Sequence, residues 1–430
     1  MYKKHLKKIP FLKDLYGYFR NHLKTMTELL QVKLIHKRYP NVINRIRLKS
    51  KKSKITIAFF VTQKQLWGCQ SLYNAFLMNK LFDPIVVVFP NNEDAINSKI
   101  ETTQNNYSYF LDKGMNVIYG YDDEEYITLS EISSDIIFYD QPCPHIPESL
   151  MWFEASKYSL ICYIPYGYKV AGFYQAHFNM YLQNSCWTVF AESDWHKQQF
   201  ENYGARNGDN VIVSGLPKLD EYSNSGVICT GDNSKTIIWA PHWSISGKSS
   251  IGFSTFEYNY KFFYNCAINY KKINWIFKPH QRLRYYLEDV CFMSRKEIDN
   301  YYESWGFLPN GEFADDAEYF SLFRKSDALI TDCGSFLAEY LPTKNPILYL
   351  KSDNNTAGYN EIGEKLISCY YNAKNNEEIK IFIEDVVVEG KDVMKESRLS
   401  NLYLVQPNLD GAGEFIVNYL EHNIINNKIN

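Results

Sequence analysis

The sequence has no run of 18 or more apolar residues, so no segment reads as a membrane span. No G-x-G-x-x-G follows its first apolar run, which argues against a nicotinamide or flavin cofactor. No D-x-D-type acidic cluster closes a predicted strand. The nearest, Asp315-Asp316, reads as a solvated loop, so no metal is expected. The nine cysteines are scattered, odd in number and without a C-x-x-C pair, as for reduced thiols rather than a disulfide framework or a zinc site. Gly247-Lys248-Ser249 has the ending of a phosphate loop. The first glycine of G-x-x-x-x-G-K-S is missing, because position 242 is His, so a Walker-A loop is excluded. The basic N-terminus has neither an uninterrupted apolar core nor a small-residue cleavage site, so no signal peptide is expected. There is no long internal repeat.

What is present is 430 residues, enough for two or three domains with their own cores. The net charge of −3 hides a strong asymmetry. Residues 1–54 carry 16 Lys/Arg against Asp14 and Glu28, leaving 30 Lys/Arg against 47 Asp/Glu elsewhere. Phe11, Leu12, Leu15, Phe19, Leu23, Met26 and Leu30 recur at helical spacing, with Lys13, Arg20 and Lys24 between them and Lys3, Lys4, Lys7 and Lys8 ahead. This spacing predicts a basic amphipathic arm over residues 1–53. Its expected partner is an anionic membrane surface, which attracts such charges and admits the apolar face. Packing of the same stripe on the chain's own first domain is the alternative. Nothing downstream resembles a base-reading module, so nucleic acid is not an expected partner.

From Lys54 onward, strand and helix patterns alternate. Apolar runs at 55–61, 85–89, 116–119, 135–139, 160–164, 188–191 and 211–213 predict a parallel sheet, and residues 54–220 a first domain. The strand ends would present Asp140-Gln141-Pro142, Pro165-Tyr166-Gly167 and Glu192-Ser193-Asp194 to a crevice. The stretch 221–235 is rich in Ser, Gly and Asn and reads as a linker. A second domain, 236–422, follows, with strands expected at 236–240, 275–277, 328–331, 346–350 and 366–371 and an aromatic-rich helix at 256–269. The strand-turn-helix corner after 328–331 is the most informative. The run 328–331 leads through Asp332-Cys333-Gly334-Ser335 into a helix closed by Pro342. Such a corner offers free N–H groups to an anion, with Gly334 allowing close approach, Ser335 as cap and donor, and Glu339 one turn on. The Asn-rich 423–430 is expected to be disordered.

Thr331-Asp332-Cys333-Gly334-Ser335 with Glu339-Tyr340 resembles the T-D-Y-S-S…D-Y block of the CDP-glycerol glycerophosphotransferase family, the teichoic-acid primases and polymerases and their capsule relatives. It departs at Cys333, Gly334 and Glu339. Gly215 to Asp220 resembles G-x-P-R-x-D, with Lys218 for Arg. Ala240 to Ser244 resembles A-P-T-W/Y-R, with His242 for Thr. Lys278 to Arg284 resembles K/R-x-H-P-x-x-R, matching at His280 and Arg284, and Asp410 to Glu414 resembles the D-G-x-A-S-E-R close. The blocks span about residues 160–422 in the family's order.

The resemblance implies an α/β fold of GT-B type, two Rossmann-like doubly wound domains facing a cleft, whose last helix crosses back to the first. It implies an enzyme at the cytoplasmic face of the plasma membrane, needing no cofactor. It would move glycerol-phosphate or a similar polyol-phosphate from CDP-glycerol or a related donor to a hydroxyl of a lipid-linked or growing surface polysaccharide. On that pattern Asp332, Gly334 and Ser335 surround the diphosphate, Lys218 faces it, Glu339 holds the ribose, and His280 and Arg284 offset charge on the leaving group. His242 occupies a matching position. Tyr166 stands where the family's W-H-G-T block carries its base. A phenol with a pKa near 10 is a poor base at neutral pH. Asp140, His145, Asp194 and His196, at neighbouring strand ends, are the other candidates. Two alternatives stay open: a GT-B glycosyltransferase using a nucleotide sugar in capsule or lipopolysaccharide synthesis, and a non-catalytic docking protein in which Tyr166 and Cys333 mark lost chemistry.

Overall fold

A computed structural model describes residues 10–92, 95–222, 234–245, 251–314, 319–408 and 411–426. Two open parallel sheets organise it. The first contains β1 (Ile55–Val61), β2 (Phe82–Val88), β3 (Val117–Tyr119), β4 (Ile136–Tyr139), β5 (Leu160–Tyr163), β6 (Thr188–Ala191) and β7 (Val211–Val213), in the order β3-β2-β1-β4-β5-β6-β7. The second contains β8 (Lys235–Ala240), β9 (Ile273–Phe277), β10 (Gly311–Phe313), β11 (Ala328–Thr331), β12 (Ile347–Leu350) and β13 (Tyr371–Ala373), in the order β10-β9-β8-β11-β12-β13. In each sheet the order of the strands therefore reverses once, between β1 and β4 and between β8 and β11. Those switch points leave a crevice at the C-terminal strand ends, where doubly wound sheets take ligands.

The strands are parallel and covered on both faces, which is why they read as continuous apolar runs. Residues 57–61 are all buried, as are 237–240. Aromatic stacking thickens both cores. Phe59 stacks on Phe138 at 5.2 Å, and Trp239 lies among Phe256, Phe263 and Phe277 at 5.8, 4.5 and 5.0 Å. The aromatic helix Phe256–Asn269 is thus a core element. The expected strand at 366–371 begins instead at Tyr371. Leu366 belongs to the helix Glu361–Ile367, which buries Ile362 and Leu366 and is capped by the Asn360 side chain on Gly363 N–H. Strand β10, a three-residue edge, carried no apolar run to predict it.

Helix α1 runs from Pro10 to Ser50. Val32, Ile35, Tyr39, Val42 and Ile46, one face at i+3/i+4 spacing, are buried; the last four belong to the first sheet's core. The Tyr39 hydroxyl donates to the Ser185 carbonyl at 2.5 Å, and Arg38 donates to the Phe153 carbonyl at 2.7 Å. Residues 32–46, expected within a separate arm, are therefore part of the first domain. Met26, Leu30 and Leu34 fall on the opposite face and are exposed. The lysines ahead of Pro10, residues 223–233 of the linker expected over 221–235, residues 246–250 and Asp315-Asp316 lie outside the described residues.

The last helix, Ala412–Glu421, continues through a wider turn to Asn426. It packs on the first sheet: Ile416, Val417, Leu420 and Ile424 are buried in that core. A disordered tail from Asn423 is not what the described part shows, since Ile424 is fully buried; residues 427–430 lie outside it. Among the described residues no helix is long and apolar enough to cross a membrane.

Candidate functional site

The loops leaving β8, β9 and β11 meet at the second switch point, and Asp332 ties two of them. Its carboxylate, fully buried, accepts from His242 N–H at 2.5 Å, Thr255 N–H at 2.5 Å and the Thr255 hydroxyl at 2.8 Å. Burial pushes its pKa up to about 6, and those hydrogen bonds hold it down from going further. Asp332 is thus the anchor of the loops rather than a group facing a donor.

That anchor sets two imidazoles side by side, ring centres 5.3 Å apart. The Ser244 amide and hydroxyl both lie on His242 Nδ1, at 3.2 and 2.7 Å, and the Arg282 amide donates to His280 Nδ1 at 3.1 Å. These bonds assign each ring proton to Nε2. Burial lowers both pKa values, His280 to about 3 with Arg282 and Lys278 adding to the effect. His280, expected to offset charge on the leaving group, is therefore a neutral ring here, offering an N–H rather than a full positive charge.

Gly334 begins the short helix Gly334–Glu339, for which Cys333, not Ser335, is the N-cap. A Cβ on Gly334 would meet Val170 at 2.9 Å and Phe253 at 3.2 Å. The close approach it permits is to protein, not to phosphate. Ser335 does face a cavity of about 120 Å³, shared with Tyr166, Gly167, Lys218, Lys278, His280 and Glu339. Arg284 does not. It pairs with Asp299 at 3.4 Å and lies over the Tyr302 ring. Arg282 is the guanidinium nearer the site, 5.9 Å over Trp243 and close enough to influence both His280 and Tyr166.

Across the cavity the two domains are joined by a buried ion pair, Lys218 Nζ to Glu339 Oε1 at 3.3 Å, with the residues 8 % and 1 % exposed. Lys218 also donates to the Tyr166 carbonyl at 2.7 Å, and the Tyr319 hydroxyl donates to the other Glu339 oxygen. Neither Lys218 nor Glu339 is a free group waiting for a ligand.

On the first domain's side, Tyr166 is 44 % exposed, yet its pKa is raised, chiefly by desolvation and also by Asp140 and Glu339, against the influence of Arg282. It is even less ionised at neutral pH than a free phenol. Asp140, at the end of β4, is better suited. Burial pushes its pKa up to about 7, and its Oδ2 is buried with no hydrogen-bond partner. Tyr166 N–H donates to the Asp140 carbonyl at 3.1 Å, which keeps the two adjacent. His196 is fully enclosed, with its ring nitrogens on Ser193 and the Lys169 carbonyl, and Asp194 opens a surface helix. His145 lies on an exposed loop.

The structure therefore gathers Tyr166, Lys218, His280, Ser335 and Glu339 around one cavity. Asp140 and His242 do not line it: the Asp140 carbonyl is bonded to Tyr166 N–H, and the His242 ring lies 5.3 Å from that of His280. The structure also leaves out Arg284, Asp332 and Gly334. Sequence reasoning missed Tyr319, which no motif marks, and Gln65, on the loop after β1. Lys278 and Arg282 sat in plain view inside the His280 block.

Doubly wound domains whose switch points face each other define the GT-B type of fold, and solved structures agree. The chain aligns with the wall teichoic acid polymerase TagF soaked with CDPG at 12 % identity and TM-score 0.54, over 94 % of this chain and 98 % of that one. It aligns with Staphylococcus aureus MnaA in a co-structure with UDP at 17 % identity and TM-score 0.52, over 87 % and 98 %. UDP-GlcNAc 2-epimerase from Neisseria meningitidis bound to UDP-GlcNAc aligns at 14 % and TM-score 0.51, over 85 % and 99 %. No family model matches the sequence, and no curated protein matches it. At these identities the likeness fixes the fold.

Proposed function

We propose that the chain is a transferase that moves a polyol-phosphate, glycerol-phosphate in the first instance, from a CDP-activated donor to a hydroxyl of an envelope polymer. The observation that carries this is the cavity at the facing switch points, where Ser335, Lys278 and His280 converge from one domain and Tyr166 and Lys218 from the other. Hydroxyl, ammonium and N–H donors in one small space suit a diphosphate. Likeness to TagF adds the donor class.

In this reading the acceptor oxygen attacks the donor's β-phosphorus. The bond from that phosphorus to the bridging oxygen breaks, and CMP leaves. Such transfer depends mostly on positioning and charge stabilisation. His280 presents its Nε2–H toward the leaving phosphate, with the His242 ring beside it, and Ser335 and Lys278 take its oxygens. The acceptor's proton goes to Asp140, whose pKa near 7 matches the task. Glu339 meets the ribose from its pair with Lys218.

Likeness to UDP-bound structures favours one second reading, a nucleotide-sugar glycosyltransferase on the same site. A thermal-shift series with CMP, UMP and GMP separates them. A ligand at 100 times its dissociation constant adds about 2.7 kcal/mol. Stabilisation by CMP alone, followed by CMP release from CDP-glycerol, supports the first reading. Stabilisation by UMP and not CMP replaces it with the second, and stabilisation by none leaves a docking protein. The outward stripe of α1, Met26, Leu30 and Leu34 with Lys33 and Lys37 beside it, suits an anionic membrane surface that would carry the acceptor.

A further inference from the structure

The loop that follows β5 in the first domain is pinned to the second domain at several points, and Asn360, 1 % exposed, supplies three of them. Its Nδ2 donates to the Lys169 carbonyl at 3.0 Å and to the Ala171 carbonyl at 3.4 Å. Its backbone N–H donates to the Val170 carbonyl at 2.9 Å. Its Oδ1 accepts from Gly363 N–H at 2.9 Å, capping the helix Glu361–Ile367. One buried carboxamide thus serves its own domain with its oxygen and the other domain with its nitrogen. Serine, threonine and aspartate also cap helices, but none of them carries an NH2 group. Beside it, Ala171 and Tyr359 form an antiparallel bridge, and Gly172 N–H donates to the Gly358 carbonyl at 3.3 Å.

The docked surfaces leave no room for a side chain at three glycines. A Cβ on Gly363 would meet the Val170 carbonyl at 2.7 Å, one on Gly172 the Ala357 carbonyl at 2.8 Å, and one on Gly334 the Val170 side chain at 2.9 Å. Gly334 is one of the departures from the T-D-Y-S-S pattern, and it stands where the other domain's loop presses on the start of the helix Gly334–Glu339. Further up the same loop, a Cβ on Gly167 would lie 3.5 Å from Glu339 Oε1 and 3.9 Å from Ser335 Cβ. Tyr166, next to it, lines the cavity and donates its N–H to the Asp140 carbonyl at 3.1 Å. The docking of this loop therefore sets where Tyr166 and Asp140 stand relative to Ser335.

We propose that Asn360 is a positioning residue for the transfer. It touches no substrate. It clamps residues 166–172 to the second domain, so that the acceptor side of the cleft is held in register with the donor phosphates on Ser335 and His280. The catalytic meaning of that register rests on the transferase reading above; the clamp itself does not.

The test combines hydrogen exchange of the full chain over residues 164–173 with steady-state CMP release from CDP-glycerol, on Asn360→Ser and Gly363→Ala. Serine keeps a cap for Gly363 and loses the donations to the loop. Alanine at 363 leaves Asn360 in place, favours the helix and pushes on the Val170 carbonyl, so it carries the test if Asn360→Ser fails to fold. Exchange over 164–173 should quicken at least about tenfold in each variant. The value of kcat should fall by about 10- to 100-fold, the cost of displacing reacting groups by about 1 Å. CMP affinity and the donor KM should stay within about threefold of the parent. A residue that only caps its helix would instead lower the thermal midpoint and leave kcat alone. Unchanged exchange in both variants, or faster exchange with parent-like kcat, would overturn the proposal. So would a loss of CMP affinity as large as the loss of kcat, because Asn360 would then serve binding rather than register. If the parent releases no CMP from CDP-glycerol, the transferase reading fails, and exchange over 164–173 still decides whether Asn360 clamps the loop.

Discussion

Asp140 places a carboxylate where burial opposes its charge, and one of its oxygens has no partner. Its folded pKa, about 7, lies above the unfolded value near 3.9. A raised carboxylate contributes its stability fully below the unfolded pKa and loses it as pH rises through the folded one. Asp140→Asn removes that loss. Relative to the parent it should gain stability, by about 2 kcal/mol more at pH 8.5 than at pH 5.5. Calorimetry at the two pH values measures this, and an equal gain at both would show that the carboxylate is not held protonated. The same variant should lose about 10²–10⁴ in turnover, the range of a lost general base. A second pair of substitutions weighs the two walls of the cavity. His280→Ala removes an N–H aimed at developing charge and should cost about 10²–10³ in kcat. Tyr166→Phe removes a hydroxyl whose raised pKa keeps it un-ionised, and should cost less than about tenfold. A Tyr166→Phe enzyme as slow as His280→Ala would make the phenol a direct participant and displace Asp140 from its role.

Helix α1 has two apolar faces with different jobs, which truncation can separate. Deleting residues 1–30 takes Met26, Leu29 and Leu30, all exposed, and should leave thermal stability unchanged while reducing co-sedimentation with anionic vesicles. Salt should weaken the parent's vesicle binding through screening. Deleting residues 1–50 also strips Val32, Ile35, Tyr39, Val42 and Ile46 from the core. At about 1.5–3 kcal/mol each, this should cost on the order of 8–15 kcal/mol and yield insoluble protein. Unchanged vesicle binding after the shorter deletion would remove α1 from membrane contact. The helix also shows what sequence can carry. The strands were legible because a parallel sheet buried on both faces must be apolar throughout, and 55–61, 188–191, 211–213 and 328–331 fall where β1, β6, β7 and β11 do. The buried face of α1 was obscured because its outward stripe is equally apolar. The site was legible where a motif sat at a strand end, as with His280 and Ser335. It was not legible where tertiary contacts choose between equals. Arg282 and Arg284 are two residues apart, and only packing on Trp243 or pairing with Asp299 tells them apart. Asp332, polar and two residues before a glycine, reads like a ligand-facing group until Thr255, 77 positions away, closes on it.

At the scale of the whole molecule, several contacts tie the two domains, two of them away from the cavity's lining. The loop after β5 reaches into the second domain, where Asn360 donates to the Lys169 carbonyl at 3.0 Å and the Tyr168 hydroxyl donates to Leu404. At the other end, Asp220 accepts from the amides of Ala412 and Gly413 at 2.8 Å, fixing the returning helix. Between these ties sits the Lys218–Glu339 pair, in the wall of the cavity at the facing switch points. Removing one partner of a buried pair leaves the other charge stranded and typically costs about 3–5 kcal/mol, while replacing both can be nearly neutral. Glu339→Gln and Lys218→Met should therefore each lower the thermal midpoint clearly, and the double variant should be more stable than the sum of the two losses predicts. Nucleotide affinity should not recover with it. If Glu339 leaves Lys218 to take the ribose, the double variant will fold like the parent and still bind CMP about tenfold or more weakly. Additive losses in stability would show that the pair is not coupled across the domains. Parent-like CMP affinity in the double variant would show that Glu339 only braces the wall, and the ribose would then have to be held from elsewhere in the cleft.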